Sequence, residues 1–181
     1  MRHSTHPILR HLQPAMAWRH VLWASLGSFL AIAALSWVGN SVGSPILIAA
    51  FGSSCVLVFL LPSSPMAQPV SLVGGHLVSA CCGLLVRTYL PSAWWSIALA
   101  VGLSIAAMAL LRVTHPPAGG NPIGILLANE GWSYLVVTVL LGSLIVAVCG
   151  MVFRVFPLAK SESRAEPEQQ ITEEELDQLT R

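Results

Sequence analysis

Five runs of apolar residues, each near the length of a membrane crossing, set what this chain can fold into. They occupy residues 18–38, 45–61, 69–90, 94–113 and 132–156. About twenty residues of helix match a hydrocarbon core of roughly 30 Å. Only 9% of the chain is charged, against about 25% in a soluble domain, so there is no polar shell to cover five such helices in water. The predicted fold is all-α, a polytopic transmembrane bundle with four to five spanning helices. Residues 18–38 are too long for the apolar core of a signal peptide, usually about 7–15 residues, and are expected to stay as a span. Residues 123–128 are apolar but too short to cross alone.

The charges divide the chain into three parts: a basic polar arm (1–17), a transmembrane domain (18–156) and an acidic tail (157–181). Seven of the eight acidic residues follow Lys160, and Glu130 is the sole acid before it. The tail carries a capping-box pattern at Thr172 to Glu175. Any helix there would be marginal by itself, so the tail is read as a solvated segment, with a docking site as the alternative. His3, His6 and His11 lack a regular spacing and read as part of a solvated arm. Cys55, Cys81, Cys82 and Cys149 lie within apolar runs and form no C-x-x-C, which suits small packing residues. No metal, cofactor or nucleic acid is expected. Most of the six tryptophans fall near the ends of the runs, as in an interfacial belt.

Two places break this apolar pattern. R-V-T-H-P-P-A-G-G-N-P (112–122) packs three prolines and two glycines into eleven residues. A residue before proline leaves the α region, so a helix must end near Val113 or Thr114. Asn121-Pro122 then reads as an N-cap with proline at the first helical position, with an earlier start at Pro117 as the alternative. P-S-S-P-M-A-Q-P (62–69) has the same punctuation, with Ser64-Pro65 and Gln68-Pro69 as cap pairs. Helix starts inside a bilayer have freed N–H groups that need protein or a polar cavity. They also carry partial positive charge. One helix end returns about 0.3–1 kcal/mol, up to ~2 when partly buried, while a charge at the bilayer centre costs roughly 2.5–3.5 kcal/mol. Two ends plus side-chain donors are therefore needed to hold a small anion.

The candidate substrate-binding set is Ser63, Ser64 and Gln68 from one break, Thr114, His115, Gly119, Gly120 and Asn121 from the other, and His76 between them. The scarcity of carboxylates favours an anion or neutral solute over a cation. His115 either binds solute or relays a proton, or else pairs with a carbonyl freed by the break. His76 is a functional candidate or makes a neutral interhelical hydrogen bond. Ser53 and Ser54 are read first as bonding back to their own helix. Arg87 and Arg112 sit near run ends, where snorkelling suits them. Glu130 is expected at an interface beside an arginine. Gly75, Ser79 and Gly83 line one small-residue face for close helix packing, within one subunit or between copies in a homo-oligomer. The positive charges place both chain ends on the cytoplasmic side, which five crossings cannot do. Either one end defies the rule, or an unwound element near 114–129 supplies another passage.

T-H-P-P-A-G (114–119), together with F-G-S-S-C-V-L-V-F (51–59), P-S-S-P-M-A-Q-P (62–69) and G-G-H-L-V-S-A (74–80), resembles the HPP family of integral membrane proteins. The resemblance covers roughly residues 18–156. It implies a compact helical membrane domain, usually of four spans, and marks His115 with its prolines, Ser64, Gln68 and His76 for testing. Plastid and cyanobacterial members are associated with nitrite transport. The expected function is therefore a transporter or channel for a small inorganic anion, nitrite first, in a bacterial plasma membrane. The rival is a membrane scaffold or sensor acting through the acidic tail. An enzyme is not expected, since H-E-x-x-H, G-x-S-x-G and paired carboxylates are missing.

Overall fold

The computed structural model describes residues 15–44 and 46–155. Most of the basic arm and the whole acidic tail, including the Thr172 capping box, lie outside the described residues. Among those described, the protein is all-helical. Helices α1 (Trp18–Val42), α2 (Ala49–Cys55), α3 (Pro69–Tyr89), α4 (Trp94–Leu110), α5 (Asn121–Ala128) and α6 (Leu141–Val155) follow in order. A π-helical turn, Val56–Leu60, extends α2, and another, Leu135–Leu140, leads into α6. Among the described residues three helices are long and apolar enough to cross a membrane: Trp18–Val42, Pro69–Tyr89 and Leu135–Val155. Ala49–Leu60 and Trp94–Leu110 are shorter apolar helices. All five apolar runs of the sequence thus become helices.

Side-chain contacts fix which ends lie together. His20, at the start of α1, bonds the carbonyl of Leu60 at the end of α2 (3.1 Å). Arg154, near the end of α6, reaches Ala67 and Gln68 just before α3 (both 2.8 Å). The first end of the bundle therefore gathers the start of α1, the end of α2, the start of α3 and the end of α6. At the opposite end Arg87 of α3 donates to Asn129 after α5 (3.0 Å). There too Ser92, before α4, donates to the Leu126 carbonyl (3.2 Å). The chain makes five helical passages between the ends, and the broken stretch from Arg112 to Asn129 makes a sixth. That sixth passage returns Val155 to the end where Trp18 begins, and so removes the conflict in the charge pattern.

The broken stretch is possible because α3 is grooved to receive it. The face Gly75–Ser79–Gly83 is turned inward, against this same chain. A Cβ on Gly75 would stand 2.7 Å from the His115 Cβ and 2.8 Å from the Val113 carbonyl oxygen. One on Gly83 would stand 2.9 Å from the Pro122 Cα. Between them the Ser79 hydroxyl donates to the Ala118 carbonyl at 2.6 Å. Two apolar cores flank this seam. One joins α1, α2 and α6 through Leu35, Phe51 and Val146. The other joins α3, α4 and α5 through Leu84, Ala100 and Ile125.

Helix α4 stops at Leu110, three residues short of the predicted end. Arg112 takes a left-handed conformation (φ 58°), and the Val113 N–H bonds back to the Met108 carbonyl (2.9 Å). This closure satisfies carbonyls at the helix end. The chain then leaves the helix, with His115 extended before the prolines (φ −134°, ψ 99°). A 3-10 turn, Pro116–Gly120, runs directly into α5. Asn121 is therefore the first helical residue rather than a cap, and its side chain is released for other use.

Replacing Gly75 with alanine is expected to cost about 1–3 kcal/mol, because backbone and Cβ atoms of the broken stretch must shift. Gly102→Ala on α4, where a Cβ meets open space, is expected to be neutral or to stabilise by about 0.5–1 kcal/mol. Thermal unfolding of both variants in one detergent checks the contrast. In a protein stripped of its native cysteines, Ala17→Cys and Val155→Cys are expected to react with a membrane-impermeant thiol reagent from the same side. Labelling from opposite sides would refute the sixth passage.

Candidate functional site

Four polar side chains from four elements meet where the two breaks come together. Ser54 stands on α2, His76 about two turns into α3, His115 in the extended stretch and Asn121 at the start of α5. All four are buried, with His76, His115 and Ser54 at 0% exposure. The Ser54 Oγ lies 2.9 Å from the His76 Nε2 and 2.9 Å from the His115 Nε2. The two imidazole centroids are 5.2 Å apart, and Phe51 lies 4.9 Å from the His76 ring. Asn121 donates through Nδ2 to the His76 Nδ1 (3.0 Å) and to the His76 carbonyl (3.2 Å). The His115 Nδ1 meets the Met66 carbonyl at 2.7 Å.

These contacts determine where the protons sit. A carbonyl only accepts, so the His115 Nδ1 carries a hydrogen and donates it to Met66. The Asn121 amide is oriented by the His76 carbonyl, which also only accepts. Its Nδ2 therefore donates to the His76 Nδ1, which must be bare, and the neutral His76 ring holds its hydrogen on Nε2. His76 then donates to Ser54. The Asn121 Oδ1 is buried without a hydrogen-bond partner, an unusual state for an acceptor in a protein interior.

The two breaks are thus physically joined, through Met66 of the first and His115 of the second. They do not enclose an open hollow. The space expected between them is filled by the hydrogen-bonded chain itself and by Phe51. Among the described residues an open cavity of about 400 Å³ lies elsewhere, near the opposite end, beside Leu35, Gly39 and Leu47.

The remaining candidates sit around this chain. Ser64 caps the 3-10 turn Pro65–Ala67, accepting from the Met66 N–H at 3.3 Å. Gln68 ties its turn together, donating to the Pro62 and Ser64 carbonyls (3.3 and 3.2 Å). Its Oε1 accepts from Arg154. Ser63 is exposed, Thr114 is half-buried beside His115, and Gly119 and Gly120 have open space where a Cβ would go. Of the nine candidates, His76, His115 and Asn121 share the buried cluster; the other six do not enter it.

Two residues of the site carried other readings in the sequence. Ser54 does bond back to Ala50 (2.9 Å), but the same oxygen bridges both histidines. Its signal was a serine pair in an otherwise apolar run opposite a second such run holding a histidine. In the sequence Arg154 is one of the positive charges near the end of the last apolar run. Its guanidinium clasps the first break, and its Nε is buried without a partner. Glu130 stays at the far end, where Arg87 meets the neighbouring Asn129 rather than the acid.

Substituting Arg154 with methionine would strand the Ala67 carbonyl and the Gln68 amide oxygen. The residue is half-buried, so the expected loss is about 1 kcal/mol, below the usual range for charged hydrogen bonds. Thermal unfolding measures this loss. Faster amide exchange confined to residues 62–69 is expected alongside it.

The chain matches the profile of the family described as HPP, transmembrane region, over residues 13–163. It is similar to two transmembrane proteins of Dictyostelium discoideum. One is 34% identical over 146 residues, covering 74% of this chain and 47% of the relative. The other is 32% identical over 151 residues, covering 77% and 53%. The chain thus spans about half the length of these curated relatives. No solved structure matches it.

Proposed function

The chain belongs to the HPP family of integral membrane proteins, and on that premise we propose that it is a transporter or channel for a small inorganic anion, nitrite being the first candidate, in a bacterial plasma membrane. The observation that carries this reading is the buried polar chain of Asn121, His76, Ser54 and His115 at a helix break inside the bundle. Polar and ionisable groups at membrane depth are costly and mark solute or ion pathways. Discontinuous helices are a recurring way to build such sites.

Charge favours an anion. Arg154 stands at the bundle end where the first break opens, and its partners among the described residues, Gln68 and the Ala67 carbonyl, are neutral. Arg19 lies at that end on α1, and Arg112 at the end of α4. Glu130, the sole acid of the transmembrane domain, lies at the other end. Within the transmembrane domain the charged side chains at this end are therefore positive and lead toward uncharged donors. The dry packing of the cluster corresponds to a closed state, with passage requiring the breaks to part. The role is movement of a solute, without chemistry upon it.

Purified protein in liposomes is expected to take up nitrite above the rate of protein-free vesicles. His115→Ala is expected to lower that uptake at least about tenfold while remaining monodisperse in detergent. Wild-type uptake in a well-folded His115→Ala protein would remove the cluster from the pathway. Vesicles that admit neither nitrite nor other small anions would favour the scaffold reading, whose acidic tail is then the segment to delete.

A further inference from the structure

The hydrogen-bond chain has one hydroxyl proton and two places to put it. The Ser54 Oγ lies 2.9 Å from the Ala50 carbonyl, 2.9 Å from the His76 Nε2 and 2.9 Å from the His115 Nε2. With both rings neutral, His76 donates to Ser54, Ser54 donates to the bare His115 Nε2, and His115 donates to Met66. Now add one proton at the His115 Nε2. The Ser54 hydroxyl turns to the Ala50 carbonyl, and its oxygen accepts from both histidines. Every heavy atom keeps its place and every one of these contacts stays satisfied.

A second proton has no such accommodation. It would go on the His76 Nδ1, and that nitrogen faces the Asn121 Nδ2, a donor held in place by the His76 carbonyl. Donor would then oppose donor. We propose that Ser54, His76 and His115 form a site for a single proton, with the Ser54 hydroxyl as its rotor, and that this site couples one proton to each monovalent anion carried.

The balance is simple. One proton arrives from the aqueous side, one N–H bond forms at the His115 Nε2, and the site passes from neutral to singly positive. With a monovalent anion the loaded site is neutral again, which lowers the cost of crossing a low-dielectric interior. The proton leaves by the reverse step.

No other group competes closely for this role. Of the titratable side chains on the elements packed around the pair, α1 offers Arg19 and His20 near its start, His20 being held at the Leu60 carbonyl. Helices α2, α3 and α6 offer only cysteines nearby, with Arg87 and Tyr89 at the far end of α3. Arg112 follows α4, Tyr134 precedes the Leu135–Leu140 turn, and α5 has none. Arg154 is tied to Ala67 and Gln68. Glu130, the sole carboxylate among the described residues, lies at the far end after α5, so no described carboxylate neutralises a proton entering the cluster.

The coupling rests on the anion-transport reading, and two measurements separate the two ideas. In the first, the full chain in vesicles is given nitrite under an inward acid gradient, with the membrane potential set to zero or imposed. Electroneutral accumulation is expected, unchanged by the potential. Ser54→Ala is expected to lose accumulation about tenfold or more, the scale of a removed proton-transfer group. Ser54→Thr, which keeps the hydroxyl, should restore accumulation. Wild-type accumulation by a folded Ser54→Ala protein, or uptake driven by the potential, overturns the proposal. In the second, nitrogen-15 histidine spectra of the full chain in lipid nanodiscs read the protons directly. Neutral His76 should carry its hydrogen on Nε2 and neutral His115 on Nδ1. Acid should then make a single imidazolium, at His115. The opposite tautomer at either ring, or an imidazolium first at His76, overturns the one-proton site whether or not nitrite is carried. Absence of nitrite uptake with the expected spectra would instead overturn the transport reading and leave the proton site standing.

Discussion

A backbone that leaves the helix inside a bilayer must find partners for its amide groups, and this requirement organises the whole protein. Residues 113–120 are too rich in proline to remain α-helical. Lipid offers no hydrogen bonds in exchange. The answer is a groove on α3, formed by Gly75 and Gly83 at each end with Ser79 between. The glycines let the broken stretch approach to backbone contact, and the serine satisfies one of its carbonyls. The His115 ring satisfies another, that of Met66, on the companion break. The two irregular segments are thus solved as a pair.

This pairing explains why polar residues gather at one depth. Each break must be held by something that can bond a carbonyl, and an imidazole does so without bringing a full charge. Once His115 is committed through Nδ1, its Nε2 requires a partner, and Ser54 supplies it. Ser54 in turn binds His76, and His76 is oriented by Asn121. Each residue is explained by the unmet bond of the one before. The chain ends at the Asn121 Oδ1, which has no partner, so the buried network is incomplete at one atom. A completed polar network rigidifies what it joins, and this one stops one acceptor short.

The bundle itself was legible in the sequence because length and apolarity act locally. All five runs became helices, and the breaks fell at the prolines. The sixth passage was foreseen only as one of two ways to reconcile the charges. It needed the structure because whether residues 113–129 fold back or cross depends on the Gly75–Ser79–Gly83 groove, a tertiary feature. The same face was legible as a place of close approach, but a sequence does not reveal which segment approaches. Helix starts were placed to within one residue of Asn121. That single residue mattered, because a capping asparagine would have spent its side chain on its own helix instead of on His76.

Of the candidate site, the histidines and Asn121 were visible because polar residues are conspicuous among apolar ones. Ser54 and Arg154 each had an adequate local explanation: back-bonding for the serine, charge bias for the arginine. A local explanation hides a long-range role when one atom serves both, as the Ser54 oxygen does. The hollow expected between the breaks was drawn from helix dipoles, which attract charge but do not hold space open. Side chains closed that space because burying Phe51 and two imidazoles against each other excludes water that four polar groups would otherwise have had to hold. In so dry a site any polar guest would have to displace packed rings, which ties access to the cluster to movement of the two breaks.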